Sequence, residues 1–430
     1  MMSWARGKTG PSSFVLPSSL TRHCFFVFVF VRIFNANGEN WRVQRKTASK
    51  MFSRRVFTTF MAETFAHHGH TVLEILDEAV QTQKTMNMQD LFYQFTLDSI
   101  GQIGFGVDLG VLRKGKIPFS EAFDQAQAEI PNRVTNPFWR LTGWFTGTHL
   151  RHWGNVAIMK KFAREVIQNR KSEGVKDKAD ILSFFMERTD ENGQPFSEKY
   201  LTDIVINFLV AGRDTTAVTL SWAFYALATE PEVEKNLLEE LDSVLRGKEP
   251  TYEDVDTRMP YLHAFIKEVL RLYPPVPKDP KTAVNDDILP DGTFVPAGTE
   301  VVFVPYVMGR MEELYENPLK FDPERWFKPE NAKKTLFEYP VFQAGPRTCL
   351  GMSMALFEAK VLTAMILQRF VARVEPGFIA LPGESITMPI VGGLPVTIQK
   401  RKDFYYNITR TKSAVDIVNI PVVGGASDEI

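Results

Sequence analysis

Cysteine is nearly absent from this 430-residue chain, which carries only Cys24 and Cys349. A disulfide-rich secreted scaffold is therefore excluded. A charge excess is missing as well. Lys plus Arg number 50 and Asp plus Glu 51, for a formal net charge of −1. That balance argues against bulk nucleic-acid binding, and it leaves room for a local basic face. Long apolar runs are lacking too. The run Cys24 to Val31 (CFFVFVFV) ends at Arg32, far short of the roughly 20 residues a spanning helix needs. Its basic lead is short and no small-residue cleavage site follows, so it is a poor signal-peptide core. It reads as a buried or mispaired β-like segment, and as an aggregation hazard if exposed. No internal repeat is visible. What the chain does have is apolar mass: 44% hydrophobic residues and 12% aromatic ones, 34 of them Phe. That excludes a disordered or collagen-like chain and suits either a large core or a roomy apolar pocket. The length allows one large unit or two smaller ones.

The hydrophobic pattern is mainly helical, with a small β part. Residues 41–60 open with WRVQRK and read as a cationic amphipathic helix. Leu91, Phe92, Phe95 and Ile103 carry helical spacing over 88–103, which Gly104, Gly106 and Gly110 break. Helices are also expected over 119–130, ended by Pro131, and over 151–168. Residues 190–193 (DENG) signal a turn, after which Ser197 caps a long helix over 198–229 with Glu198 in its first turn. That helix would be roughly 45 Å long. Further helices are expected over 231–246, 261–272 and 350–370, whereas Pro274, Pro275, Pro277 and Pro280 forbid helix. A small sheet is expected over 288–304, and a hairpin over 386–398 turning at Gly392-Gly393.

The most informative stretch is FQAGPRTCLG, from Phe342 to Gly351. A single thiolate can be an axial ligand to haem iron. It must be deprotonated, and so needs donors and positive potential nearby. The helix expected just after Cys349 offers its N-terminal dipole. Gly345 and Gly351 let backbone amides approach the sulfur. Arg347 can pair with a desolvated carboxylate such as a haem propionate, and Phe342 can shield the sulfur. The competing reading is a structural buried Cys in a tight loop.

The complete F-x-x-G-x-R-x-C-x-G pattern resembles that of the cytochrome P450 superfamily, and other stretches agree with it. In the long helix, Ala211-Gly212-Arg213-Asp214-Thr215-Thr216 resembles the family's A-G-x-D-T-T, about 135 residues before Cys349. Gly and Thr in mid-helix weaken the backbone ladder and can open a local distortion. Otherwise Thr215 simply bonds back to a carbonyl and Asp214 is solvated. Glu268 and Arg271 match E-x-x-R, and with Arg325 of FDPERW they would form a buried structural triad. Trp41 and Arg45 match W-x-x-x-R, which binds a propionate in the family; alone they read as an exposed basic helix with a half-buried Trp. Lys281 falls where the family often reaches the other propionate.

The resemblance implies a mainly α P450 fold with haem b between the long helix and the Cys loop. It implies Cys349 as metal ligand, Thr215 and Asp214 as catalytic residues, and Trp41, Arg45, Ala211, Gly212, Lys281, Phe342, Gly345, Arg347 and Gly351 around the cofactor. Electrons would come from NADPH through a reductase docked on a basic face carrying Arg42, Lys46, Lys50, Arg54 and Arg55. Membrane association, at the endoplasmic reticulum, is expected by resemblance, with a cytosolic location if an anchor is truly absent. The stretches PPVP (274–277), NDDILPDGT (285–293) and YVMGRME (306–312) resemble members that hydroxylate fatty acids near the ω end. Val210, Ala211, Ile390 and Val391 would then line the substrate pocket, with residues 390–394 forming part of its wall. Ala211 stands where some ω-hydroxylases carry a Glu esterified to haem, so no ester is expected. Arg133 and Arg140 are candidates for the substrate carboxylate.

Three segments follow: an atypical lead (1–33), a catalytic domain (34–401) lacking the family's usual N-terminal region, and a C-terminal extension (402–430). The expectation is that the original N-terminal region is missing and the lead is unrelated. Asn407 heads a sequon read as chance. The alternatives to an O₂-dependent monooxygenase are an inactive haem-binding relative and a peroxide-dependent haem-thiolate enzyme. Thr215 counts against the latter.

Overall fold

The computed structural model describes residues 14–15, 34, 36–53, 56–176, 178, 180–189 and 193–401. The apolar run 24–31 with Cys24, the basic pair Arg54 and Arg55, residues 190–192 of the expected turn, and the C-terminal extension with Asn407 lie outside them. The mainly α architecture with a small β part is what the described residues form. The principal helices are α1 (Gly38–Ser49), α2 (Ala62–Thr82), α3 (Met88–Phe105), α4 (Pro118–Ala128) and α5 (Thr148–Glu173). They continue with α6 (Glu198–Thr229), α7 (Pro231–Leu245), α8 (Pro260–Leu272) and α9 (Met352–Arg369).

Helix α6 is the axis of the fold, and its bounds have local causes. The Ser197 side chain accepts from the Tyr200 amide at 3.2 Å, and Glu198 lies in the first turn. At the far end Pro231 takes the first turn of α7, where its missing N–H costs nothing. The body of α6 is apolar nearly all round and accordingly almost wholly buried. It packs most extensively on α3. A Cβ at Gly212 would lie 2.6 Å from the Ile100 side chain, so the small residue is what lets the two helices approach. Helix α3 begins with an Asn87 cap on the Gln89 amide at 3.2 Å and ends at Gly106, whose φ of +65° favours glycine.

Among the described residues the strands form three small antiparallel sheets. β1 (Phe14–Val15), β3 (Asp279–Ala283) and β6 (Glu300–Phe303) make one, in the order β1-β3-β6. β2 (Met86–Asn87), β8 (Pro395–Lys400) and β7 (Phe370–Val374) make the second, in the order β2-β8-β7. β4 (Asp287–Ile288) pairs with β5 (Phe294–Val295).

Three local expectations need correction, and one helix went unread. The helix expected over 41–60 stops at Ser49, passes through a 3₁₀ turn at Lys50–Phe52, and turns extended at Ser53. Pro131 does not end a helix; it stands in the first turn of the next one, Ile130–Thr135. No hairpin spans 386–398. Val391 instead bonds back to Leu381 at 2.9 Å, and β8 pairs with β7 and β2, distant in sequence. An alternating pattern reports a strand but not its partner. Finally, α2 went unread because Thr and His interrupt its apolar spacing.

A buried charge cluster ties α8 to the segment that follows it. Glu268 and Arg271, one turn apart on α8, are both fully buried and meet at 2.7 Å. Arg325 Nε reaches the same carboxylate at 2.9 Å, the Asp322 amide at 2.8 Å, and Trp326 Nε1 at 3.1 Å. The remaining guanidinium donors are spent on carbonyls, Arg271 on Pro318 at 2.6 Å and Arg325 on Glu316 at 2.8 Å. Every member is satisfied, which is the condition under which buried charge is tolerated. Glu268→Ala should strand two buried guanidiniums and cost roughly 3–5 kcal/mol in chemical denaturation. Arg325→Lys should not restore the wild-type value, because an ammonium cannot reproduce the fork of donors. A loss under about 1 kcal/mol, the range of an exposed ion pair, would contradict this reading.

Candidate functional site

The loop before α9 is shaped by two residues in the left-handed region, Gln343 (φ 66°) and Gly345 (φ 68°). They let the chain double back, so that the Cys349 amide donates to Phe342 O at 2.7 Å and the Thr348 hydroxyl to Gly345 O at 2.7 Å. Gly351 caps α9. Cys349 is a free cysteine with solvent access. The packed loop around its sulfur pushes the thiol pKa up, while the Gly351 amide and the Arg45 charge pull it down. These are the amide donor and the positive potential a thiolate needs.

Arg45 and Arg347 both lie over the Trp41 ring, with guanidinium carbons 5.7 Å and 4.4 Å from its centroid. Arg347 also donates to Ala36 O at 2.8 Å and to Asn37 Oδ1 at 3.0 Å. Burial holds the pKa of both guanidiniums below the usual range, and Arg45 lowers that of Arg347 further. Neither makes an ion pair with a carboxylate among the described residues. The Asp279 carboxylate acts on Arg347 but is itself paired with Lys281, so two cations gathered on one indole beside a thiol form a site short of negative charge. A haem brings two carboxylates and takes one axial thiolate, so the residues present fit that group. Lys281 is placed differently: its ammonium is 2.5 Å from Asp279 on the same strand. The expectation that it serves a propionate must contend with that carboxylate.

On α6 the burial pattern breaks at one stretch. Between Leu201 and Phe224, Val210, Ala211, Gly212 and Thr215 are half-buried and the rest is buried. The Thr215 hydroxyl donates to Ala211 O at 2.8 Å. Asp214, one residue earlier, turns to a different face. It is buried rather than solvated, receiving Arg213 Nη1 at 3.1 Å on one oxygen and Gln127 Nε2 at 2.5 Å on the other. Burial pushes its pKa up to about 6, against the pull of Arg213 and Gln127. Arg213 also pairs with Asp124 at 2.7 Å. A cleft of about 310 Å³ reaches Asp214 between α3, α4 and α6, and Cys349 does not line it.

The stretch expected to wall a substrate pocket is mixed. Ile390 is buried and clamped by Gln89, whose amide group both donates to its carbonyl at 3.1 Å and accepts from its N–H at 2.8 Å. Leu394 is buried, whereas Val391 is 58% exposed. Arg133 is buried against Glu129 at 3.5 Å and lies over Trp139, and the exposed Arg140 lies over the same ring at 5.6 Å.

Residues that the sequence did not single out also gather here. Gln127 and Asp124 reach the long helix from α4, a contact with no local signature. Glu358 on α9 is wholly buried beside the Thr216 and Ser99 hydroxyls, and burial holds its carboxyl well above the usual range. A lone acid inside the apolar run MALFEAKVLTAMIL was the available signal.

Known proteins are similar to this chain over most of its length. The cytochrome P450 family model matches residues 15–384. Cytochrome P450 86B1 of Arabidopsis thaliana is 35% identical over 403 residues, covering 87% of this chain and 72% of the relative. Cytochrome P450 704C1 of Pinus taeda is 38% identical over 373 residues, covering 79% and 71%. Among solved structures, the heme domain of cytochrome P450DA superposes with a TM-score of 0.79 at 23% identity, covering 90% of this chain and 84% of that one. The chain belongs to the cytochrome P450 family of monooxygenases.

Proposed function

We propose that this monooxygenase hydroxylates a long-chain fatty acid near its ω end, drawing electrons from NADPH through a reductase. The balanced reaction is RH + O₂ + NADPH + H⁺ → ROH + H₂O + NADP⁺. The observation that carries the haem-thiolate part is the free Cys349 at the start of α9, with the Gly351 amide and Arg45 acting on its sulfur. The fatty-acid part rests on the resemblance of residues 274–277, 285–293 and 306–312 to ω-hydroxylating members.

In this reading residues 34–401 form the catalytic unit. Cys349 would ligate the haem iron through its thiolate, and Arg45, Arg347 and Trp41 would hold the propionates. A bound haem supplies O₂ binding and the oxidising power to insert one oxygen atom into a C–H bond. The protein's own part is to orient, exclude water and move protons. Val210 and Ala211 present an apolar wall beside the reacting carbon. Thr215 turns its hydroxyl from Ala211 O toward the open face and passes on the protons that Asp214 supplies. The outer face of α1 and the turn after it, with Arg42, Lys46 and Lys50 all exposed, suits an acidic electron donor. Among the described residues no helix is long and apolar enough to cross a membrane. The reading places the enzyme at the endoplasmic reticulum membrane.

The test is turnover of saturated acids from dodecanoic to octadecanoic by the haem-loaded chain with NADPH and a P450 reductase, with products located by mass spectrometry. Hydroxylation at or next to the terminal carbon is expected. Turnover with hydrogen peroxide but none with NADPH and reductase would overturn it.

The protonation of Asp214 has its own signature. Its folded pKa of about 6 lies above its ordinary 3.8, so the folded state binds the proton more tightly. Its stabilisation is complete below about pH 4 and is lost as pH rises through 6. Relative to Asp214→Asn, the wild type should therefore lose on the order of 2–3 kcal/mol of unfolding free energy between pH 4 and 7. A difference between the two proteins that does not change with pH would show that Asp214 does not titrate in that window.

A further inference from the structure

The segment 383–394 carries Ile390 and Val391, the wall that the proposed function assigns to the substrate. It is not a sheet strand. Among the described residues its one bridge, Ile390 to Pro382, is isolated, and β8 begins only at Pro395. Ser385, Thr387 and Pro389 line the cleft with Arg213 and Asp214, so the segment runs along α6. Met388 and Ile390, of the opposite parity, are buried. Buried backbone without a neighbouring strand must find its hydrogen-bond partners elsewhere.

It finds them in side chains of two helices. The Trp222 indole N–H, on α6, donates to Met388 O at 2.9 Å, and the Met388 amide donates to Pro275 O at 3.0 Å. The Trp222 ring is itself fixed by Tyr273, on which it stacks at 4.2 Å with the planes 1° apart. Two residues on, Gln89 of α3 accepts from the Ile390 amide at 2.8 Å and donates to its carbonyl at 3.1 Å. A primary amide carries the same donor and acceptor as a peptide, so Gln89 supplies the pair of bonds a neighbouring strand would make. Asn87 completes the set, its Oδ1 accepting from the Leu394 amide at 2.9 Å. A Cβ at Gly393 would collide with that Asn87 side chain, and the φ of +88° there favours glycine as well. Trp222 and Gln89 are both buried, so removing either leaves a buried carbonyl without its donor.

We propose that Trp222 and Gln89 are positioning residues that decide which carbon of the substrate is oxidised. They act through the backbone. By fixing Met388 and Ile390 they fix the wall at Ile390 and Val391, and with it the depth to which the end of the chain can reach. The inference rests on the fatty-acid reading, in which residues 390–394 form part of the pocket wall. A wall held by two side chains shifts when one bond is lost, whereas β8 beyond it is held by its ladder with β7. The C–H bonds of a terminal methyl are stronger than those of an inner methylene, so attack at the end of the chain has to be imposed by position. A wall displaced by the spacing of one carbon is then enough to change the product.

The test reads the position of the new hydroxyl. The full chain, loaded with haem and supplied with NADPH and a P450 reductase, is given dodecanoic acid, and the hydroxylated carbons are assigned by mass spectrometry. Trp222→Phe keeps a ring on Tyr273 and deletes the N–H. Gln89→Met keeps the length and removes both bonds. Each should lower the ratio of terminal to inner hydroxylation by about threefold to tenfold. The thiolate band of the carbon monoxide complex should keep its position, which separates a moved wall from a damaged haem site. Hydrogen exchange supplies a readout apart from turnover: peptides covering 385–394 should exchange faster in both variants. Trp222→Phe serves if Gln89→Met folds poorly. Faster exchange there with an unchanged product ratio would overturn the proposal, since the two side chains would then be structural only. Unchanged exchange with an unchanged ratio would overturn it too. A wild-type enzyme that does not oxidise dodecanoic acid at or next to its terminal carbon would instead remove the fatty-acid reading on which the inference rests.

Discussion

A carboxylate taken wholly out of water must have its lone pairs satisfied by the protein, and Glu268 imposes that demand on the architecture around Cys349. Its two oxygens receive Arg271, Arg325, the Asp322 amide and the Trp326 indole. The connection from there to the sulfur is continuous. Trp326 packs edge-on against Tyr339 at 4.9 Å, and the Tyr339 hydroxyl bonds Lys267 O on α8 at 2.9 Å. Tyr339 precedes the turn Pro340–Phe342, and Phe342 O holds the Cys349 amide. A polar cluster away from the sulfur thus sets where the sulfur stands. Its energetic return is small, because buried pairs barely recover their desolvation. What it gives is a fixed loop.

The long helix separates two electrostatic environments. On the Cys349 side lie Trp41 and two guanidiniums, Arg45 and Arg347, which make no ion pair among the described residues; the Asp279 carboxylate acts on Arg347 but is itself paired with Lys281. On the α3–α4 side, and toward α9, lie acids that burial has made reluctant to ionise, Asp214 and Glu358. A site that binds an anionic cofactor and consumes protons requires both conditions, and one apolar helix keeps them apart. Gly212 lets α3 approach closely at Ile100.

How much of this was legible in the sequence depends on whether its cause was local. The limits of α6 were readable because Ser197 and Pro231 act on their own neighbours. The Cys349 loop was readable for the same reason: glycines, an Arg and a helix start sit within ten residues. Glu268 with Arg271 was visible as a one-turn pair, and Arg325 only through family resemblance. The rest required the folded chain. No periodicity places Gln127 against Asp214, Asp279 beside Lys281 is a matter of strand geometry, and β8 finds its partners in β7 and β2 rather than nearby. Helix α1 was overextended because charge pattern alone does not show that the chain turns extended at Ser53.

The most direct measurement is the carbon monoxide difference spectrum of the reduced, haem-loaded protein, taken alongside Cys349→Ala. A thiolate ligand gives a red-shifted Soret band that a histidine-ligated haem lacks. The account predicts that band in the wild type and its loss in the variant. The same band surviving in Cys349→Ala, or a histidine-type spectrum in the wild type, would contradict Cys349 as the ligand.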